Sequence, residues 1–374
     1  MDRIAIVFKE GTEKEACFEA AKKELTEKIG DFSPILLVYE SDVDNFVYYS
    51  DKLHEAYPNT EVIGVTTCSH LSSVGRGGMG LSLIAVNEGI EVATGEILEI
   101  SKCPIRYSDR ITGALSKLPN KENCVCLEFI SAFCYSEELV LDTLKRQLDP
   151  YNIPVFGATG GVNDESEAIN FVALNGRIYY EGAVFAIIHN KNGRIGLFKE
   201  NLYKPTIYKF TATDVDSEER KVYEINDEPA VNVMANMCKL SQDELKEKFV
   251  DYPLGRIMGN DIYITEPDSV CDDGSLTYHA RIYNYTDLVI LEHDDYENVK
   301  KETEKKVKDS GIKPNFSIVV NYFRRIEYFD ELGITDTHTK ALEDMLGDYF
   351  GIVGYGEQFD FEQMNQTMII CVFE

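Results

Sequence analysis

Apolar and polar positions alternate in blocks along the first third of the chain. A five-residue apolar run at 4–8 reads as a strand buried on both faces, and Thr12 with Glu15 has capping-box spacing ahead of a helix to about residue 29. The run 34–39 is a second strand, Ser41 and Asp44 open a helix to about residue 56, and 61–65 is a third strand. Strands alternating with helices predict a largely parallel sheet covered on both faces.

After residue 65 the pattern changes. A polar loop, Thr66-Thr-Cys-Ser-His-Leu-Ser-Ser, leads to 77–86 and 91–97, which read as an antiparallel pair joined around 87–89. A strand at 123–130 and a helix at 136–148 follow, and Pro154-Val-Phe-Gly-Ala-Thr-Gly-Gly161 then repeats the earlier design. It is a short apolar strand, a glycine, a polar loop carrying Thr159, Asn163 and Asp164, and a pair of strands at 182–189 and 194–199. Phe350-Gly-Ile-Val-Gly-Tyr-Gly-Glu357 has the same grammar ahead of a last apolar run at 368–373. By pattern, these two terminal runs flank a turn holding Glu357, Asn365 and Thr367 and close a sheet as a hairpin. Three loops of one design predict a common meeting place, although no residue-by-residue repeat is present.

Between 201 and 227 the chain turns polar and charged, which sets an expected domain boundary near residue 200. A length of 374 residues suits two domains, 1–200 and 201–374. The expected fold class is α/β with mixed α+β character, each domain a largely buried mixed β-sheet flanked by helices. In the second half, 228–237 and 241–249 read as helices, the latter behind a capping box of Ser241 and Glu244. Short strands at 255–258, 261–265, 275–282 and 287–292 precede a Lys/Glu-rich helix at 296–310, a solvated face by its charge pattern, and a strand at 316–320.

Composition narrows the function classes. With 65 acidic and 37 basic side chains the formal net charge is −28, which repels nucleic acid and anionic membrane surfaces. No segment approaches about 18 consecutive apolar residues, and the first apolar run is too short for a signal-peptide core. Nine cysteines lie mostly inside apolar runs, a usage that fits a reducing cytoplasm. The sequons at Asn284, Asn315 and Asn365 are then chance or local hydrogen-bonding motifs.

Few motifs carry chemistry. Gly75-Arg-Gly-Gly-Met-Gly80 matches a dinucleotide string, but a strand follows where that fingerprint needs a helix, so it reads as a glycine-rich turn. Cys68 and His70 face one way if the chain is extended there, the arrangement of a thiolate paired with an imidazole. Cys124 and Cys126 share a strand face without zinc spacing and read as core. The six histidines show no paired spacing, which leaves haem ligation by one of them as a separate reading. Arg324 at a strand end offers a planar fork for a carboxylate, with Glu357 as a counterpart or amine binder. A structural Arg–Glu pair is the alternative.

At these residues the chain resembles the FIST family of sensory modules, which combine an N-terminal and a C-terminal FIST domain. The resemblance rests on Val62-Ile-Gly-Val-Thr-Thr-Cys-Ser, the Pro154–Gly161 motif, Asn175-Gly, Gly182-Ala-Val, Ile225-Asn-Asp-Glu-Pro-Ala-Val, Tyr252-Pro-Leu-Gly, Asp273-Gly-Ser, Gly354-Tyr-Gly-Glu357 and Asn365-Gln-Thr367. It implies a non-catalytic cytoplasmic sensor of a small, amino-acid-like ligand. Output would pass to a separate partner such as a histidine kinase or cyclic-dinucleotide enzyme, with no cofactor, nucleic acid or membrane involved. Expected ligand contacts are Arg324, Glu357, Asn365, Tyr355, Thr159 and Asn163. A cysteine-dependent enzyme using Cys68 and His70, or a haem-binding gas sensor, are the alternatives. Many family members carry a Cys where this chain has Asn321, three residues before Arg324, which weighs against thiol chemistry there.

Overall fold

A computed structural model describes residues 3–31, 33–162, 169–259 and 261–374. The α/β class holds, with helices covering several mixed sheets. The chain forms two compact units, one of Met1–Lys199, Glu302–Phe361 and Met368–Glu374, the other of Glu200–Lys301 and Glu362–Thr367. It leaves the first unit where a boundary was expected, but residues 201–374 do not stay together as a second domain. Strand pairing is the reason: the strands Phe316–Tyr322, Tyr349–Gly354 and Thr367–Phe373 share a sheet edged by Ile195–Asn201, while Gly356–Phe359 pairs with Val155–Thr159.

The larger unit is built three times over on one plan. In the first repeat the order is Ile4–Glu10, Gly80–Val86, Leu36–Ser41, Glu61–Thr66, with the last two parallel and Gly80–Val86 antiparallel to both its neighbours. The second repeat has the order Ile90–Leu98, Gly182–Asn190, Cys124–Ile130, Val155–Thr159, again with its final pair parallel. The third has the order Ile195–Asn201, Thr367–Phe373, Phe316–Tyr322, Tyr349–Gly354, and the same parallel pair closes it. Parallel neighbours need a crossover. Val43–Ala56 supplies the first, Glu137–Leu148 the second, and Phe323–Glu331 with Thr335–Leu346 the third. The segment Glu200–Lys301 of the other unit is thus an insertion in the third repeat.

After its fourth-listed strand, each repeat sends its chain to a neighbouring sheet. From Glu61–Thr66 it reaches the third sheet, where Ser69 bridges to Val353. From Val155–Thr159 it reaches the first, where Val172–Leu174 pairs with Glu61–Thr66. From Tyr349–Gly354 it reaches the second, where Gly356 pairs with Thr159. The three exchanges close a cycle.

This plan overturns three expected strand pairs. Gly80–Val86 and Ile90–Leu98 belong to different sheets, as do Gly182–Asn190 and Ile195–Asn201, and the terminal strands Tyr349–Gly354 and Thr367–Phe373 lie on opposite sides of Phe316–Tyr322. Gly80–Val86, Gly182–Asn190 and Thr367–Phe373 are buried at every position. Strands buried on both faces need central places in a sheet, which a surface hairpin does not provide.

Helices cover the outer faces. Lys14–Ile29 and Val43–Ala56 bury Phe18, Leu25, Phe46 and Leu53 against Val7, Leu37 and Leu83. Ser108–Lys117 and Glu137–Leu148 bury Ile111, Leu115, Leu141 and Leu144 against Cys126, Ile130 and Ile187. Each such side chain contributes roughly 1.5–3 kcal/mol of apolar burial. The core reading of Cys124 and Cys126 holds, and burial pushes the Cys126 thiol well up. At the helix starts, Lys14–Ile29 has no side-chain cap, so the Thr12–Glu15 box does not form, and Asp42 rather than Ser41 caps Val43–Ala56 by accepting from the Asn45 N–H at 3.1 Å.

In the smaller unit, a sheet centred on Tyr203–Asp216 and Asp287–His293 packs Phe210, Val222 and Leu288 against Ala230–Cys238 and Gln242–Lys248. The Ser241–Glu244 capping box is present in full.

Candidate functional site: a pocket where three loops meet

The three strand–glycine–loop units converge inside the larger unit. Thr67 Oγ1 and the Cys68 N–H donate to the Val353 carbonyl at 2.7 and 3.0 Å, joining the first loop to the third. Gly161 N–H donates to the Thr66 carbonyl at 2.9 Å, joining the second to the first. Tyr355 N–H donates to the Thr159 carbonyl and its hydroxyl to the Val162 carbonyl, both at 3.0 Å, joining the third to the second. Each loop therefore satisfies main-chain groups of the other two. Gly354 permits this approach, because a Cβ there would collide with the Thr159 carbonyl oxygen.

A cavity of about 290 Å³ opens beside this junction, lined by Cys68, Ser69, Val162, Phe323, Ile326, Glu327, Asp330 and Tyr355. Tyr355 stands edge-on between two rings, 5.0 Å from Phe323 and 6.0 Å from Phe133. Asp330 accepts from Arg76 at 2.9 Å and from Thr335 Oγ1 at 2.6 Å, which fixes its carboxylate. Among the described lining residues two are carboxylates and none is basic. Aromatic walls with carboxylates at one side suit a cationic amine.

Of the residues expected to bind ligand, Tyr355 lines this cavity. Thr159 does not: its hydroxyl accepts from Gln358 Nε2 at 2.9 Å and donates to Glu137 Oε1 at 3.4 Å. Glu357 is fully buried opposite Ala158 and does not line the pocket. Arg324 lies in the first turn of the helix Phe323–Glu331 with its guanidinium 5.3 Å over the Phe323 ring, and it too is absent from the lining. Asn365 belongs to the other unit, where its N–H donates to the Ile264 carbonyl and its Oδ1 accepts from the Glu266 N–H. Asn163 lies outside the described residues. The loop at Thr159 was expected in a domain separate from the terminal glycine loop, yet Gly356 pairs with Thr159 within one sheet.

Sequence reasoning missed Phe323, Ile326, Glu327 and Asp330. Their spacing of i, i+3, i+4 and i+7 is the signal of one helix face and was there to be read after the strand at 316–320.

Cys68 and His70 do not form the expected pair. His70 is buried with Nδ1 3.0 Å from Glu40 Oε1, and its Nε2 has no hydrogen-bond partner among the described residues. Burial raises the Glu40 carboxyl, with the facing His70 opposing the shift. Among the described residues no group of three His, Cys, Asp or Glu side chains is arranged to hold a metal ion.

Behind the junction, Glu128, Gly157 and Gln358 are cross-strand neighbours. Glu128 leans over Gly157, where a Cβ would meet its Cγ at 2.6 Å. It is fully buried, and neither carboxyl oxygen has a hydrogen-bond partner among the described residues. Burial pushes its pKa well above the usual carboxylate range, and the charge of Glu137 adds to the shift.

Comparison with known proteins gives one family. No curated protein matches the chain. A solved structure described as "Cyanuric acid hydrolase: evolutionary innovation by structural concatenation" aligns over 100% of this chain and 99% of that chain, at 8% identity and a TM-score of 0.37, too low to carry an argument. The FIST N domain matches residues 35–228, more than half of the sequence and spanning the first two loops of the junction. The chain therefore belongs to the FIST family of sensory signalling domains.

Proposed function

We propose that this chain senses a small amine-bearing, amino-acid-like ligand in the three-loop pocket and passes its state to a separate output protein, such as a histidine kinase or a cyclic-dinucleotide enzyme. One observation carries the reading: loops from all three repeats are hydrogen-bonded to one another beside a cavity with aromatic walls and two carboxylates. The ligand ammonium sits between Tyr355, Phe323 and the Glu327 and Asp330 carboxylates, and the rest of the ligand projects outward. A ligand that favours one arrangement of the loops shifts the population toward it, in proportion to its differential affinity for the two states. Binding rather than catalysis is supported by the lack of a hydrogen bond between His70 and Cys68. The reading needs no cofactor, and nine free cysteines agree with a reducing compartment.

Thermal-shift and calorimetric titration of the full chain with alkylamines and free amino acids tests this. A ligand at a hundredfold excess over its Kd adds about 2.7 kcal/mol to stability. The expected result is stabilisation that Tyr355→Ala and Glu327→Gln each reduce at least tenfold in affinity. Stabilisation by none of these amines, or alkylamine stabilisation indifferent to both substitutions, would sink the proposal.

A further inference from the structure

A second, larger cavity of about 620 Å³ lies in the same unit, at the junction of the first and second repeats. Its floor holds Glu61, whose Oε2 accepts from Thr94 Oγ1 at 2.6 Å and from Asn175 Nδ2 at 2.9 Å. Asn175 is itself fixed: its Oδ1 accepts from the Val62 N–H at 2.8 Å, and its backbone is left-handed with φ 51°. One wall is a single face of the helix Ser108–Lys117, presenting Asp109, Arg110, Gly113, Ala114 and Lys117. Arg110 is paired with Glu96 at 3.3 Å, whereas Lys117 has no ion-pair or hydrogen-bond partner among the described residues.

The repeated architecture shows what is unusual here. Gly80 and Gly182 begin equivalent strands; in the first repeat Phe8 faces Ser82, and two residues into the equivalent strand Glu96 faces Val184. Phe8 and Glu96 thus hold corresponding places. At the junction of the third and first repeats the Phe8 ring packs on the hairpin glycines Gly75 and Gly77 and fills the space. At the junction of the first and second repeats that place holds a charged side chain turned to Arg110, and the space stays open and polar.

The lining carries three carboxylates (Glu61, Glu96, Asp109) and three cations (Arg110, Lys117, Arg177), a balance that disfavours an ion of either sign alone. Glu61 and Lys117 line one cavity without reaching each other within ion-pair distance. We infer that this cleft is a second ligand site, for a small zwitterion whose ammonium meets Glu61 and whose carboxylate meets Lys117. The preoriented Glu61 carboxylate avoids the ordering cost that a free side chain would bring to binding. This site shares no lining residue with the three-loop pocket and does not rest on that pocket's role.

Calorimetric titration of the full chain with the twenty free amino acids, each beside its carboxamide and its N-acetyl form, reads this directly. At least one free amino acid is expected to bind, with affinity falling at least tenfold when either charge is removed. Lys117→Ala and Glu61→Gln should each weaken that binding at least tenfold. Lys117 is exposed at a helix end, so its substitution tests the site without threatening the fold. Binding by none of the free amino acids, or binding indifferent to Lys117→Ala and Glu61→Gln, overturns the assignment. Binding lost in Tyr355→Ala alone overturns it too and returns the ligand to the three-loop pocket.

Discussion

Glu128 places a carboxyl between a strand and the helix Glu137–Leu148 with nothing among the described residues to hydrogen-bond it. Burial, and then the charge of Glu137, raise its pKa well above the unfolded value. The folded protein therefore holds a proton there that the unfolded chain releases, so stability is fully present below the unfolded pKa and falls as pH rises toward the folded one. Glu128→Gln keeps the shape and removes the titration. Its melting temperature should exceed that of the parent at pH 8 and approach it at pH 5; equal pH slopes in the two proteins would show that the carboxyl is solvated. Gly354 makes a different demand at the same scale, since the atom it would strike is backbone and cannot turn aside.

Helices and strands differ in how openly the sequence declares them. Ser241 with Glu244 announces the helix Gln242–Lys248 and caps it with both reciprocal hydrogen bonds, so Ser241→Ala should lower stability by about 1 kcal/mol in urea titration. A loss below a few tenths would mean that solvent replaces the cap. The apolar runs of the first repeat and the charged helix Tyr296–Asp309 were likewise legible, because their periodicity is local. Partner choice was not. Nothing near Gly80–Val86 says that its neighbours are Ile4–Glu10 and Leu36–Ser41 rather than the next strand, since pairing is decided by burial on both faces. The shared glycine grammar did point to one meeting place for three loops, and they meet. Arg324 and Glu357 do not line the cavity at that meeting place, because side-chain direction depends on a register that the pattern does not reveal, and Asn365 belongs to the other unit. The helix Ser108–Lys117, with only Ile111, Ala114 and Leu115 buried, gave too weak a stripe to be predicted.

Over the whole molecule the dominant fact is a net charge of −28. Like charges repel most in the compact state, and the range of that repulsion shrinks from about 30 Å at 0.01 M salt to about 8 Å at 0.15 M. The urea midpoint should therefore rise between those two salt concentrations, and a flat or falling midpoint would mean that local ion pairs already neutralise the acidic groups. Sodium sulfate is a poor substitute for sodium chloride in that measurement, because it also strengthens apolar burial. The interlocked loops have a consequence of another kind. Thr67 and Val353 are 286 positions apart, yet their hydrogen bond is one of those that hold the pocket together. On the ribosome, the first two loops emerge long before the third, and a ligand has no finished pocket to enter until Tyr355 has been added and has found its partners. Ligand in the growth medium should then leave the early course of synthesis untouched and protect only completed chains from proteolysis.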